Sequence, residues 1–454
     1  MRTILRAILL AGLVCAPTGR LPAQTGRAAL LARIDSLADA PIVRRQVAGL
    51  SLGVVRGHDT LVLKGYGRGD LELDTPTPDR AVYEIGSITK QFTASAILQL
   101  VERGKMSLDD ELIKYLPDYP TQGHTVTIRR LMDHTSGIKS YTELPAFWPM
   151  AARKLPRDSL VALFSREPFD FAPGDAMVYN NSAYFLLGLV IEKVSGRPYA
   201  DYVKDSLFAR AGMPDSRYCS ESAIIPRKVH GYDVGPAGLQ KAAPIDHTWP
   251  FAAGSLCSTT GDLLAWTRAL HSGRILGPDA YREIVTPGAL NDGTRLRYAK
   301  GLSLDEIAGH RAISHGGGIF GFTSFLAWLP DDSLTVVALF NSAGPAGPDA
   351  LVDSIVTLVV GRREPQAVPY TGDLAELAGA YKGIGRGQAD SVTIAVTNGA
   401  LTIRRGAEAA EPLIHLGNGV FARRSARYTF LRRDGKVTSV RADLVAVNAV
   451  LARQ

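Results

Sequence analysis

The chain has 454 residues, 46% of them hydrophobic and 7% aromatic, with no low-complexity run. That is a folded globular composition and excludes a disordered or fibrous chain, and the length suggests two or more domains. The formal charge of +7 is mild for this length, and no basic stripe interleaves with stacking aromatics, so nucleic acid is not an expected partner.

Arg2 and Arg6 precede an apolar stretch from Ala7 to Ala16, which Pro17 ends. Leu21-Pro22-Ala23 offers a small residue for cleavage before Gln24, so residues 1–23 read as a secretory signal. The apolar stretch is too short to span a bilayer, and no later segment reaches spanning length. Gly12-Leu13-Val14 ahead of Cys15 does not resemble a lipoprotein box. The expected mature chain is exported, periplasmic or secreted, and its charge drops to +4 once Arg2, Arg6 and Arg20 are gone. Export leaves Cys219 and Cys257; an oxidising compartment permits a disulfide between them, while two separate buried thiols fit the sequence equally well. The sequence has no C-x-x-C, no H-E-x-x-H and no clustered His/Cys set, so neither a metal nor another cofactor is expected.

Ala28 to Ala38 reads as a helix with Leu30, Leu31, Ile34 and Leu37 on one side. Leu50 to Val55 and Thr60 to Leu63 read as strands joined at Arg56-Gly57-His58-Asp59. A helix follows Gly86, since Ile88, Phe92, Ala96 and Leu100 recur every four residues and Gly104 stops it. From there to about Thr260 the chain reads as mostly helical, including a helix from Ser182 to Gly196. Strand patterns return after Leu302, at Phe322–Leu329 and Leu334–Phe340, with a turn at Pro330-Asp331-Asp332. Leu351 to Val360 reads as a closing helix. The early and late strands are expected to share one antiparallel sheet, flanked by helices and interrupted by a helical insertion: an α+β fold. Gly361 to Tyr370, with Pro365 and Pro369, reads as a linker. Beyond it, Val392–Val396 and Leu401–Ile403 flank Asn398-Gly399, and Asn418-Gly419 and Asp434-Gly435 mark two further turns. This is the pattern of a small all-β barrel or sandwich, and nothing in it looks catalytic. The expected domains are 24–362 and 371–454, with 363–370 between them.

Ser87-Ile88-Thr89-Lys90 places a hydroxyl and an amine one helical turn apart. A lysine kept uncharged can take the serine proton and make it a nucleophile. Ser136-Gly137-Ile138-Lys139 repeats the spacing, but Gly137 breaks a helix. Tyr179-Asn180-Asn181 is the only Y-x-N among sixteen tyrosines. A phenol can shuttle a proton if nearby cations lower its pKa, and an amide can bind a substrate amide or ester. His315-Gly316-Gly317-Gly318 lies on or beside a strand, where glycines mark close approach of a ligand or backbone. An N–H near Gly318 can join that of Ser87 as an oxyanion hole.

Ser87-x-x-Lys90, Tyr179-x-Asn181 and His315-x-Gly317, in that order, resemble the three motifs of serine β-lactamases and penicillin-binding proteins. The flanks Thr127–Ile138, Phe171–Asp175, Gly254–Asp262 and His315–Ser324 extend the resemblance over roughly residues 25–362. It implies a β-lactamase/transpeptidase-like fold, Ser87 as acyl-accepting nucleophile, and Lys90 and Tyr179 sharing the general base and acid roles in an order the resemblance leaves open. It also implies that Asn181, His315, Gly317 and Gly318 bind the substrate or its oxyanion. The departure is at the third motif. Many members have Lys-Thr-Gly there, and that lysine binds a substrate carboxylate; histidine is largely neutral at pH 7. The H-x-G version resembles esterases and D-amino-acid peptidases of the family. The expected substrate is a small ester, amide or peptide. The alternatives are a β-lactamase, a D-Ala-D-Ala carboxypeptidase, or a non-catalytic sensor of peptidoglycan or acyl ligands. The sequence leaves the oligomeric state open.

Overall fold

A computed structural model describes residues 21–454 except Gly387. The expected signal segment lies outside the described residues, apart from its last three, which open the helix Leu21–Val43. That helix is longer than its apolar periodicity suggested.

One antiparallel sheet runs in the order Tyr298–Ala299, Leu302–Ile307, His310–Ile319, Phe322–Leu329, Leu334–Phe340, Gly49–Arg56, Asp59–Asp70 and Thr75–Pro76. The early strands thus add to the late ones through Gly49–Arg56, with Leu50 opposite Phe340. Leu334–Phe340 is an almost unbroken apolar run because both its faces are covered. Val336, Ala338 and Phe340 pack with Leu50, Leu52 and Val54 under the terminal helices, against Ile34, Ala38, Val352 and Ile355. Val337 and Leu339 face the other way, into the core that the helical insertion builds around Phe92 and Trp266. Burying each valine, leucine, isoleucine or phenylalanine among these stabilises the fold by about 1.5–3 kcal/mol.

The insertion is less purely helical than its sequence pattern. It holds a three-stranded sheet of Tyr83–Glu84, Leu256–Ser258 and Arg217–Tyr218, and a hairpin of Tyr232–Gly235 and Gly238–Lys241. Cys219 and Cys257 are joined beside the first of these, with their Cα atoms 5.2 Å apart.

After the closing helix Pro348–Val360, strands from Gly379 to Arg453 form a second sheet around Tyr381, Ile394, Ile403, Tyr428 and Val440. Its two edge strands, Glu411–Pro412 and Ile414–His415, are neighbours in sequence with only Leu413 between them. The sheet must therefore curl until its edges meet, which makes it barrel-like. The turns at Asn398-Gly399, Asn418-Gly419 and Asp434-Gly435 all lie between paired strands of it. One strand, Val447–Arg453, reaches beyond the barrel. Val447 and Asn448 pair with Val178 and Met177, immediately before Tyr179. Val178, Val447 and Ala449 bury one another there.

Candidate active site

A single turn of 3-10 helix, Gly86–Ile88, carries Ser87 into the helix Thr89–Glu102. Gly86 has φ of 49°, and a Cβ on it would lie 2.8 Å from the Gly318 nitrogen. A Cβ on Gly317 would lie 2.1 Å from the Ile85 carbonyl oxygen. Both glycines let the strand His310–Ile319 come down onto the serine turn. Gly317 backs onto Ile85 and Ser324, whereas Gly318 is exposed beside Ser87.

Lys90 is fully buried. Its Nζ is 3.0 Å from Ser87 Oγ, 2.9 Å from Asn181 Oδ1 and 2.8 Å from the Ala253 carbonyl oxygen. Burial, and after it the charge of Arg386, pushes the Lys90 pKa well below its usual value. A neutral amine has two N–H donors and one lone pair. The amide and backbone oxygens can only accept, so they take both donors. The lone pair is left for the one partner that can donate, the Ser87 hydroxyl.

Two adjacent asparagines divide the work at the start of the helix Asn181–Ser195. Asn180 Oδ1 accepts from the Ala183 N–H at 2.8 Å and caps the helix. Asn181 is thereby free to face Lys90, and its Nδ2 donates to Thr142 Oγ1 at 3.1 Å. Thr142 gave no signal in the sequence.

The Tyr179 ring centroid lies 4.7 Å from Lys90 Nζ. Its hydroxyl is buried without a hydrogen-bond partner among the described residues. Burial raises its pKa, and the Ser87 hydroxyl and the Arg386 guanidinium oppose that only in part. From the sequence, a proton-shuttle role for this phenol depends on whether nearby cations lower its pKa. Desolvation outweighs them, so the phenol keeps its proton and is a donor.

His315 does not offer a free ring to a ligand. Its Nε2 is 3.0 Å from Tyr298 Oη and its Nδ1 is 2.5 Å from the Gly316 carbonyl oxygen. Burial first, then the nearby Lys90, lowers its pKa to about 3. Tyr298 Oη is also 3.1 Å from His134 Nε2, and the Asn180 N–H donates to His134 Nδ1 at 3.1 Å. The backbone groups at the two ends fix every proton between them. His134 donates from Nε2 to Tyr298, Tyr298 donates to His315 Nε2, and His315 donates from Nδ1 to Gly316. Burial keeps both imidazoles neutral, as the chain requires. Tyr298→Phe leaves two buried nitrogens unpaired and is expected to cost about 2–4 kcal/mol in denaturant unfolding. A loss below about 0.5 kcal/mol would mean that the chain is not formed.

The second S-x-x-K is not part of the site, since Lys139 Nζ is held 2.6 Å from Asp170 Oδ1. Arg386, in contrast, was missed by sequence reasoning. It stands at the turn between Gly379–Gly385 and Gln388–Thr397 of the barrel, with its guanidinium carbon 5.6 Å from the Tyr179 ring centroid. Its Nε is 3.8 Å from Glu143 Oε1, a buried carboxylate whose oxygens have no hydrogen-bond partner among the described residues. The barrel also holds Tyr179 directly, because the Tyr179 N–H donates to the Ala446 carbonyl oxygen at 2.9 Å.

Comparison with known proteins points the same way as the geometry. The Beta-lactamase family model matches residues 32–360. Penicillin-binding protein 4* of Bacillus subtilis (strain 168) is 29% identical over 302 residues, which cover 63% of this chain and 66%, just under two thirds, of that protein. The structure of an octameric penicillin-binding protein homologue from Pyrococcus abyssi aligns with a TM-score of 0.64 at 25% identity, over 92% of this chain and 99% of that one. A D-stereospecific amidohydrolase from Streptomyces sp. aligns with a TM-score of 0.63 at 28% identity, over 73% of this chain and 99% of that one. No helix among the described residues is long and apolar enough to cross a membrane.

Proposed function

We propose, from the premise that this chain belongs to the β-lactamase family, that it is an exported serine hydrolase acting on esters or small amides, D-amino-acid peptides among them, through an acyl-enzyme on Ser87. Residues 24–362 are the hydrolase domain, 363–370 the linker and 371–454 the β-domain. The observation that carries the reading is the buried amine of Lys90, with both N–H groups committed and its lone pair against Ser87. A protein that only binds its ligand has no use for so costly an arrangement.

Ser87 Oγ attacks the substrate carbonyl carbon as its proton passes to Lys90 Nζ. The carbonyl oxygen gathers the charge, and the Ser87 and Gly318 N–H groups hold it. The carbon–leaving-group bond then breaks, and Tyr179 gives its proton to the departing oxygen or nitrogen. Lys90 returns a proton to the phenolate, which restores both groups. Water next attacks the acyl carbon and loses a proton to the same pair, and Ser87 Oγ leaves with a proton. Asn181 holds the acyl side of the substrate. His315 positions Gly316–Gly318 through the ordered chain to Tyr298, and Gly317 permits the close approach to Ile85. A low Lys90 pKa and a high Tyr179 pKa separate the first base from the acid.

With a neutral His315 on the strand, a substrate carboxylate has no cation there, which favours esters and small amides over penicillins and D-Ala-D-Ala peptides. One observation favours the second reading, a β-lactamase or carboxypeptidase: Arg386 brings a guanidinium to the cleft from the barrel. Parallel assays of short-chain nitrophenyl esters, D-amino-acid amides and a chromogenic cephalosporin separate the two. The esters and amides are expected to turn over with the higher kcat/KM. A cephalosporin rate above both would transfer the assignment to the second reading.

A further inference from the structure

Two cavities meet at Ser87. The larger, of about 520 Å³, is lined by Asn181, Phe147, Trp148, Ile245 and Phe320 among others. The smaller, of about 290 Å³, is lined by Tyr179, Tyr298, His315, Gly316 and the barrel residues Leu444 to Ala446. Among the described residues, only Ser87, Gly318 and Arg386 line both. The carbonyl under attack therefore sits at the junction, and the two halves of a substrate part into different chambers. Under the mechanism above, Tyr179 protonates the leaving group. The leaving group then occupies the smaller chamber and the acyl group the larger.

The wall of the larger chamber is aromatic. The Phe147 and Trp148 ring centroids are 5.2 Å apart, those of Trp148 and Phe320 5.6 Å, and those of Phe147 and Phe320 6.3 Å. These are separations at which rings attract one another edge to face or offset. Trp148 is 66% exposed although it belongs to this cluster. An indole left open at the rim of a catalytic cavity is apolar area that a ligand can cover. Charge enters this chamber only through Asp233 and Arg386 among its lining residues.

We propose that Phe147, Trp148 and Phe320 form an acyl-binding subsite selecting substrates whose acyl group carries an aromatic or bulky apolar side chain, such as a phenylacetyl group or a hydrophobic aminoacyl residue. The inference rests on the acyl-enzyme reading for its orientation and names the substrate class of that site. Wild-type enzyme cleaves nitrophenyl phenylacetate with a kcat/KM about 10- to 100-fold above that for nitrophenyl acetate, the gain from covering one ring. Trp148→Ala and Phe320→Ala each lower the phenylacetyl-to-acetyl ratio several-fold, and together by about ten-fold or more. The Trp148 side chain is mostly exposed, so its replacement leaves folding intact, and circular dichroism checks this for both variants.

A second readout needs no turnover. Phenylacetamide added to the Ser87→Ala chain quenches tryptophan fluorescence, while acetamide at equal concentration does not, and Phe320→Ala raises the phenylacetamide Kd about ten-fold. If no variant turns over esters but this selective binding persists, the mechanism fails and the subsite stands. A wild-type ratio at or below one, a ratio that neither variant moves, or equal binding of the two amides overturns the subsite.

Discussion

Replacing Ser87 by alanine abolishes ester turnover, with a fall in kcat on the order of 10⁶, the loss that removal of the nucleophile brings in a well-studied serine protease. It also abolishes covalent labelling by a fluorophosphonate, read by intact-mass spectrometry as the absence of the adduct found on the wild type. The size follows from what the site keeps and what it loses. Asn181 is held by Thr142 and by the Ser140 hydroxyl, and Gly318 is held by its strand, so substrate binding and the oxyanion donors survive. The bond-forming atom does not. Lys90 is left with its lone pair facing a methyl group and can at most activate water. The affinity for a substrate should therefore change little while kcat collapses. A variant that keeps a tenth of its rate, or still forms the adduct, would remove Ser87 from the mechanism.

What could be read beforehand was what is local. Ser87 and Lys90 meet because residues three apart on a helix share a face, which needs no knowledge of the rest of the molecule. The strands Phe322–Leu329 and Leu334–Phe340 run where the apolar pattern put them, because both bury most of their residues in the core. The glycines after His315 announced a close approach of backbone, though not to what. Contributions carried across the chain were invisible. Tyr298 lies on a two-residue strand, and its part depends on His134 and His315 standing on either side of it. Arg386 looked like one more basic residue in a sheet whose sequence offers no chemistry. It reaches the cleft because Val447–Arg453 pairs with Met177–Val178 and carries the barrel against the tyrosine. No periodicity within residues 371–454 encodes that docking. The direction of the Tyr179 pKa was not legible for a related reason: sequence reveals which charges exist, whereas desolvation depends on how completely the groups are enclosed.

Lys90→Met removes the base and is expected to lower kcat by roughly 10³, the middle of the range for general-base catalysis. The same substitution is expected to make the protein more stable. In the folded chain Lys90 is enclosed and its pKa lies well below the ordinary 10.5, so folding strips a proton that the unfolded chain keeps. Between the depressed pKa and 10.5 the unfolded state binds more protons, and stability rises with pH across that window. Methionine has nearly the same length and titrates nowhere. It escapes this penalty, and its advantage over lysine is largest at the acidic end of the window and fades as the pH approaches 10.5. The substitution does take a donor from Asn181 Oδ1 and from the Ala253 carbonyl. That cost is the same at every pH and leaves the trend intact. Urea titrations of both proteins from pH 6 to 10 test the sign directly, since the difference between their unfolding free energies should shrink steadily as pH rises. Parallel curves would mean that Lys90 keeps its proton in the folded state. The amine could then not accept the proton of Ser87, and the first step of the mechanism would have no base.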